Sequence, residues 1–131
     1  MLLLLLALMA HSSAATCLNY DTDIVVIGTL SEQTFQEPSS DQSSEKGDLP
    51  ATYFFLKPDS TLCVLAGARG EESAAQVDTM QLAFPAYVAK SDKAPRLLLG
   101  EDVECAGKLV SASSSHNHTP ILLADAVCHV R

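Results

Sequence analysis

Two histidines near the carboxyl end of the chain are the residues best placed to do chemistry. His116 and His118 lie two positions apart in the segment His116-Asn117-His118-Thr119-Pro120. On an extended segment both imidazoles project to one side and could bind Zn or Cu, metals that imidazole suits. Two protein ligands are fewer than a dedicated metal site usually has. The alternatives are a structural role, in which the histidines and Thr119 hydrogen-bond the loop, and a pH sensor.

The other polar side chains do not form a recognisable catalytic pattern. The serines at 113–115 neighbour His116, but adjacency in sequence is not triad geometry, and no G-x-S-x-G motif surrounds them. The carboxylate pairs at 71–72 and 101–102 are typical of solvated loops, because an acid and base pair needs one carboxyl in an apolar pocket. We therefore expect a non-catalytic protein. A deep apolar pocket holding a perturbed carboxylate or histidine would favour an enzyme instead.

Composition predicts one folded domain with an acidic surface. The chain has 131 residues, 47% of them hydrophobic, with 16 acidic and 8 basic side chains and a net charge of -8. This length supports one hydrophobic core but not two domains. The basic residues are scattered and outnumbered, so we expect no groove for nucleic acid. An acidic surface favours basic partners.

The first 15 residues are predicted to be a signal peptide. Residues 2–10 form an unbroken apolar block, and Ser13 and Ala15 give the small-x-small pattern that precedes cleavage after Ala15. No Lys or Arg precedes the block, which indicates an initiation codon further upstream or an n-region that relies on the free amine. A core helix beginning at Met1 is the alternative. No apolar run reaches the roughly 20 residues that cross a bilayer. We expect a periplasmic or secreted protein without stable membrane insertion after cleavage.

The cysteine pattern predicts two disulfides. An even number of cysteines in an exported chain implies bridges among Cys17, Cys63, Cys105 and Cys128. Zinc binding is the alternative, but the chain has no C-x-x-C pair. Cys105 and Cys128 lie almost symmetrically about a turn near 115–117, so an antiparallel hairpin would bring them to bridging distance. That pairing leaves Cys17 to bridge Cys63.

Hydrophobic patterning predicts strands and one short helical link. We expect strands at 24–30, 52–56, 61–65, 77–84, 103–111 and 121–130. Residues 57–60 are predicted to turn the second of these strands back onto the third as a hairpin. A helix is the alternative at 77–84, and a short helix or turn is expected within 85–99, before Gly100 as its C-terminal cap.

Three further patterns bear on curvature, loops and core. Gly28 and Gly107 lie inside predicted strands at similar spacing, which indicates a bulge or tight bend. Residues 36–50 are polar and Ser-rich and predict a long mobile loop, which is either a solvated linker without a binding role or a recognition loop. The aromatic side chains at 53–55 alternate between faces and are expected mostly in the core rather than stacking on bases.

The order of these elements predicts an all-β fold. Strand, long loop, hairpin, strand, helical link and two final strands is the order of a small closed barrel of the oligonucleotide/oligosaccharide-binding (OB) type. We therefore expect residues 16–131 to form a single OB-like barrel of five to six strands, stapled by disulfides. A disulfide-stapled β-sandwich is the alternative.

The sequence also resembles a bacterial domain-of-unknown-function family of small exported proteins with a C-terminal His-x-His-Thr-Pro hairpin. The resemblance is carried by Cys17-Leu18-Asn19-Tyr20, Val26-x-Gly28-x-Leu30, Lys46-Gly47-Asp48, Leu62-Cys63-Val64, Gln81-Leu82, and Gly107-x-Leu109 leading into His116-Asn117-His118-Thr119-Pro120-Ile121-Leu122-Leu123. Family members tend to carry consecutive histidines after a glycine, whereas Ser115 stands at the glycine position here and Asn117 interrupts the histidines. The resemblance implies an exported OB-like barrel with a bridge between Cys17 and Cys63, and it implies no activity.

Taken together, the sequence predicts an exported, non-catalytic β-barrel that binds a protein or a small ligand through its loops at 36–50 and 113–120. The alternative function is metal binding by His116 and His118, with Zn or Cu as the only cofactor expected. Nucleic acid is not expected as a partner.

Overall fold

The computed structural model describes residues 17–38, 47–85 and 93–131. The predicted signal peptide, residues 1–15, lies outside the described residues, as does the 39–46 part of the predicted polar loop. Within the described ranges the chain forms strands β1 (Cys17–Leu18), β2 (Asp23–Pro38), β3 (Asp48–Pro58), β4 (Leu62–Val64), β5 (Ala74–Val77), β6 (Met80–Ala83), β7 (Asp102–Ser111) and β8 (Ile121–Val130), and one helix, α1 (Lys93–Arg96). The predicted all-β class with one short helix is confirmed.

Five strands pair in a closed ring, in the order β2-β3-β6-β8-β7. All neighbours in the ring are antiparallel except β6 and β8, which are parallel. Strands β1, β4 and β5 form a separate three-stranded sheet. The ring encloses the core, because alternate side chains of strands such as β7 point inward. Its fully buried members include Leu30, Leu56, Met80, Val103, Cys105, Leu109 and Leu123.

Strand β2 pairs with a different strand at each end. Its first part pairs with β7 as far as Thr29, and its second part pairs with β3 from Gly28 onward. A Cβ at position 28 would overlap the carbonyl oxygen of Lys57, so only glycine fits this close approach. The close approach explains why a glycine lies inside this strand, at the point where its pairing passes from β7 to β3.

A second irregularity lies where β7 meets β8. Their register shifts between Ala106 and Lys108, and Asp125 on the facing strand has a left-handed φ of 51°. A Cβ on Gly107 would lie 2.7 Å from the carbonyl oxygen of Ala124. The bulge predicted at Gly107 is confirmed, and it curves β7 and β8 within the ring.

Both disulfides form with the predicted pairing. Cys105 and Cys128 are directly opposite each other on β7 and β8, and Cys17 and Cys63 are paired across β1 and β4. The described residues therefore contain no free cysteine for the zinc alternative. Since Cys105 is fully buried, its bridge is part of the core of the ring.

Three local predictions are wrong. The expected hairpin of 52–56 with 61–65 does not form, because β3 pairs with β2 and β6, while the Cys17 bridge and β5 hold β4 in the other sheet. The strand expected at 77–84 is divided between β5 and β6, which belong to different sheets. The predicted loop at 36–50 is too long, because the pairing of β2 with β3 continues to Pro38 and Asp48.

The helical link is also shorter than the predicted range of 85–99. Helix α1 covers Lys93–Arg96, and turns carry the chain to Gly100. Gly100 has a left-handed φ of 77°, but it lies four residues beyond the helix and its amide donates to the carbonyl of Leu30, so the predicted capping of the helix by Gly100 is wrong. Residues 86–92 lie outside the described residues. This link connects β6 to β7 and so lies between the third and fourth strands of the ring along the chain.

Candidate functional site

A buried carboxylate accepts hydrogen bonds from three side chains that come from distant parts of the sequence. Glu37, at the end of β2, is only 8% exposed. Its Oε2 accepts a hydrogen bond from the Tyr53 hydroxyl at 2.7 Å and lies 2.9 Å from His116 Nδ1. Its Oε1 lies 2.7 Å from Nε2 of His118. We call Glu37, Tyr53, His116 and His118 the carboxylate cluster.

Strand geometry explains why Glu37 and Tyr53 meet. Tyr53 on β3 is directly opposite Gln33 on β2, and residues 33, 35 and 37 share one face of β2 because side chains alternate along a strand. Phe35, between them on that face, stacks on the imidazole of His118 with ring centroids 3.6 Å apart and planes 3° apart. This stacking and the hydrogen bond to Glu37 together fix the orientation of the His118 imidazole.

The two histidines reach Glu37 because the loop between β7 and β8 is held against β6. Gln81 on β6, which is 3% exposed, donates from Nε2 to the carbonyl of His116 at 3.0 Å and accepts from the amide of His118 at 2.7 Å. The backbone N–H of Gln81 also donates to the Thr119 hydroxyl, which itself donates to the carbonyl of Ile121. The Gln81 side chain therefore makes two hydrogen bonds to the loop backbone, as a paired strand would, and holds this part of the loop in place.

Asn117 fixes the other half of the same loop. Its Oδ1 accepts hydrogen bonds from the backbone amides of Ser113 and Ser114, at 2.8 Å and 3.0 Å. An asparagine side chain that bonds nearby amides in this way substitutes for a backbone turn. The loop at 112–120 is thus closed internally by Asn117 and attached to the ring by Gln81.

The cluster keeps Glu37 ionised and Tyr53 neutral. The hydrogen bond from Tyr53, followed by that from His116, lowers the pKa of Glu37 from 4.5 to about 2, although burial opposes the shift. Burial, and then the hydrogen bond to Glu37, raises the pKa of Tyr53 from 10.0 to about 12. The hydroxyl of Tyr53 therefore remains a donor to a carboxylate over the whole physiological pH range.

A cavity of about 330 Å³ lies beside the cluster. Phe54 and Phe84 form part of its wall and pack edge to face, with ring centroids 5.7 Å apart. Its polar groups come from β3, β6 and the loop at 112–120. The lining residues are Thr52, Tyr53, Phe54, Gln81, Leu82, Ala83, Phe84, Pro95, His116 and Asn117. This volume is at the small end of the range for small-molecule sites, roughly 300 to 1,000 Å³.

The structure brings the two predicted histidines together at Glu37, a residue that the sequence analysis did not single out. His116 and His118 both hydrogen-bond the Glu37 side chain rather than the loop backbone, whereas Thr119 makes the backbone contacts expected of it. Glu37 falls in a stretch predicted as a polar loop, and Gln81 in a predicted strand. The sequence around Glu37 carries no local pattern that would have indicated its contact with the histidines.

The remaining candidate groups lie apart from the cluster. In residues 17–38, 47–85 and 93–131, no three His, Cys, Asp or Glu side chains are arranged to hold a metal ion, so metal binding by His116 and His118 stays a prediction. Glu72, Glu101 and Asp102, from the two acidic pairs considered for acid and base chemistry, are exposed.

In the described part of the chain, no helix is long and apolar enough to cross a membrane. Comparison of the chain with protein-family models, with curated proteins and with solved structures found no match. The resemblance to an exported bacterial family therefore stays a prediction.

Proposed function

We propose that this protein is an exported, non-catalytic binding module with an OB-like barrel, which holds a small organic ligand in the cavity beside His116. The observation that carries the proposal is the cavity itself. It combines an aromatic wall with hydrogen-bonding groups on a loop that is already fixed in place. Mostly apolar walls with a few well-placed polar groups are the usual character of small-molecule sites.

The arrangement of the ring supports an OB-like barrel. In that fold a face formed by the second and third strands, together with the loops after the first and fourth strands, binds ligands. Here the second and third ring strands along the chain are β3 and β6, and the loop after the fourth is 112–120. The cavity is lined by these three segments, by Phe84 just after β6 and by Pro95 of α1. The correspondence is an analogy at the level of the fold, and the lining residues carry the argument about function.

Export is supported by the two disulfides and by the predicted signal peptide at 1–15. Disulfides persist in oxidising compartments such as the periplasm and the extracellular space. Both bridges are formed, and the described residues contain no reduced cysteine. A periplasmic or secreted location is therefore proposed.

The charge of the chain favours a neutral or basic ligand over a polyanion. With 16 acidic and 8 basic side chains, the net charge is -8. A binder of single-stranded nucleic acid needs a positively charged groove along the backbone. The described cavity residues include no Lys or Arg. We therefore propose a small ligand with an apolar body rather than an oligonucleotide.

The test is to fill the cavity without touching the core. Ala83 lines the cavity and is exposed, so Ala83→Trp should occupy it while leaving the ring intact. Ala75→Trp is the matched control, because Ala75 is also exposed and also lies in a short strand, but in the other sheet. The measurement is saturation-transfer NMR with a set of monosaccharides and small aromatic fragments.

We expect wild type and Ala75→Trp to bind the same members of the set and Ala83→Trp to lose them. Absence of binding by wild type would overturn the proposal. Binding that persists unchanged in Ala83→Trp would overturn it as well, because the ligand would then lie elsewhere.

A further inference from the structure

We infer that the cavity selects a ring that carries a hydroxyl group, and that this hydroxyl donates a hydrogen bond to Nε2 of His116. The inference rests on the proposed function and specifies the chemical class of its ligand. It follows from two observations: Glu37 binds Nδ1 of His116 and the hydroxyl of Tyr53, and the fold engages most of the other polar atoms around the cavity.

Glu37 determines which nitrogen of His116 carries the proton. An ionised carboxylate only accepts hydrogen bonds, and Glu37 Oε2 lies 2.9 Å from Nδ1 of His116. The Tyr53 hydroxyl also lies 3.2 Å from this nitrogen, but it donates its proton to Glu37 Oε2 at 2.7 Å. Nδ1 of His116 is therefore the N–H donor. In a neutral imidazole the other nitrogen, Nε2, then has a lone pair and acts as an acceptor. The His116 side chain is 58% exposed and lines the cavity, so a ligand can reach it.

The other polar groups around the cavity are engaged in holding the fold together. Both ends of the Gln81 amide bond the loop backbone, and the Thr52 hydroxyl lies 2.7 Å from that of Thr34. Asn117 uses its Oδ1 for two backbone amides, so its amide nitrogen is the atom through which it can bind a ligand. The cavity thus offers an acceptor on His116 next to a donor on Asn117.

A hydroxyl group matches this pair, because it donates one hydrogen bond and accepts others. The aromatic wall of Phe54 and Phe84 suits the apolar face of a ring. A phenol and a sugar share this chemistry, a hydroxyl on a ring. Phenol and methyl β-glucopyranoside are therefore the two probes, and each is compared with its O-methylated form, anisole or the permethylated glucoside, which cannot donate.

The variant that tests the inference is His116→Phe. It retains a ring at the cavity and removes the acceptor. It also removes one donor to Glu37, which keeps its hydrogen bonds from Tyr53 and His118, so the amide spectrum of the variant is recorded to check that it is folded. His129→Phe is the matched control, because His129 is also exposed, also contacts a carboxylate (Glu104, at 3.3 Å) and does not line the cavity. Dissociation constants are measured by NMR titration.

We expect wild type and His129→Phe to bind at least one hydroxylated ring about fivefold more tightly than its methylated form, as the value of one neutral hydrogen bond implies. In His116→Phe this preference should fall to about one, with affinity for the methylated ring retained. Equal binding of both forms by wild type, or a preference that survives in His116→Phe, would overturn the inference.

A second measurement does not depend on a ligand. The ¹⁵N shifts of the imidazole should show His116 protonated on Nδ1 at a pH where the ring is neutral, and protonation on Nε2 would overturn the inference. If the four probes fail to bind while other fragments bind in a manner that Ala83→Trp abolishes, the inference fails and the proposed function stands. If nothing binds in that manner, both fail.

Discussion

At the scale of single residues, Glu37 makes the stability of the protein depend on pH in the acid range. Its pKa is lowered from 4.5 to about 2, because Tyr53 and then His116 donate hydrogen bonds to the ionised form. A group whose pKa is depressed by folding stabilises the folded state above its unfolded pKa, and this contribution is lost as the pH falls towards the folded value. The relevant window is therefore pH 4.5 to about 2.

We predict that Glu37→Gln is less stable than wild type at pH 6 and that the difference shrinks steadily between pH 4.5 and 2. The amide cannot gain or lose the proton on which this contribution depends. Urea unfolding at a series of pH values is the measurement, with Glu104→Gln as a control in an exposed Glu–His pair. A difference that stays constant down to pH 2 would contradict the pKa assigned to Glu37.

The histidines give a second prediction at this scale. Because both imidazoles hydrogen-bond Glu37, the double variant His116→Ala/His118→Ala should melt about 5 °C or more below wild type even with a chelator present. The measurement is a melting temperature with Zn, Cu(II), Ni or chelator. A metal-specific rise in wild type that vanishes in the variant would support the metal hypothesis, since a ligand that binds only the folded state stabilises it. An unchanged melting temperature would contradict the hydrogen-bonding role.

At the scale of elements, the pairing of β2 with β3 beside Lys57 depends on the absence of a side chain at Gly28. A Cβ there would overlap the backbone of Lys57, which cannot move without disturbing the pairing of β2 with β3. We predict that Gly28→Ala lowers the free energy of unfolding by about 2 kcal/mol or more. Gly47→Ala is the control. Its Cβ meets no atom within 4 Å, and its φ of 61° should cost only about 1 kcal/mol. Equal losses of stability in Gly28→Ala and Gly47→Ala would contradict the close approach of Gly28 to the backbone of Lys57.

The disulfides give the other prediction at this scale. Loss of a bridge returns loop entropy to the unfolded chain, and the loop between Cys17 and Cys63 spans 46 residues against 23 for Cys105 and Cys128. Replacing both cysteines of a pair by alanine should cost about 4 kcal/mol for the first bridge and about 3 kcal/mol for the second. Urea unfolding measures both. A negligible cost for either pair would contradict its role as a staple.

How much of these elements could be predicted depends on how local their causes are. The β-branched run of β2, the glycine at position 107 and the symmetric spacing of Cys105 and Cys128 each act over a few residues, and the strand, the bulge and the disulfide that they predict are confirmed. The predicted hairpin of 52–56 with 61–65 is wrong because the strand at 52–56 pairs with strands that are distant in sequence. Strand β3 pairs with β2 and β6, and no local signal distinguishes those partners from the next strand along the chain.

At the scale of the whole molecule, the site exists only because the ring closes. Glu37 comes from β2, Gln81 from β6 and His116 from the loop after β7, so 79 positions separate the carboxylate from the first imidazole it contacts. The sequence drew attention to the histidines because two of them lie close together. It gave no reason to join them to Glu37, since that contact depends on the parallel pairing of β6 with β8.

A map of backbone amide shifts, recorded on the wild-type protein during titration with phenol and with anisole, tests whether the cavity beside His116 is the binding site. We predict that the largest changes fall on Gln81, Ala83, His116 and Asn117, around the cavity. Changes centred instead on Val25 and Val127, exposed apolar side chains that line a different surface hollow, or no changes at saturating probe, would contradict the claim that this cavity is the binding site.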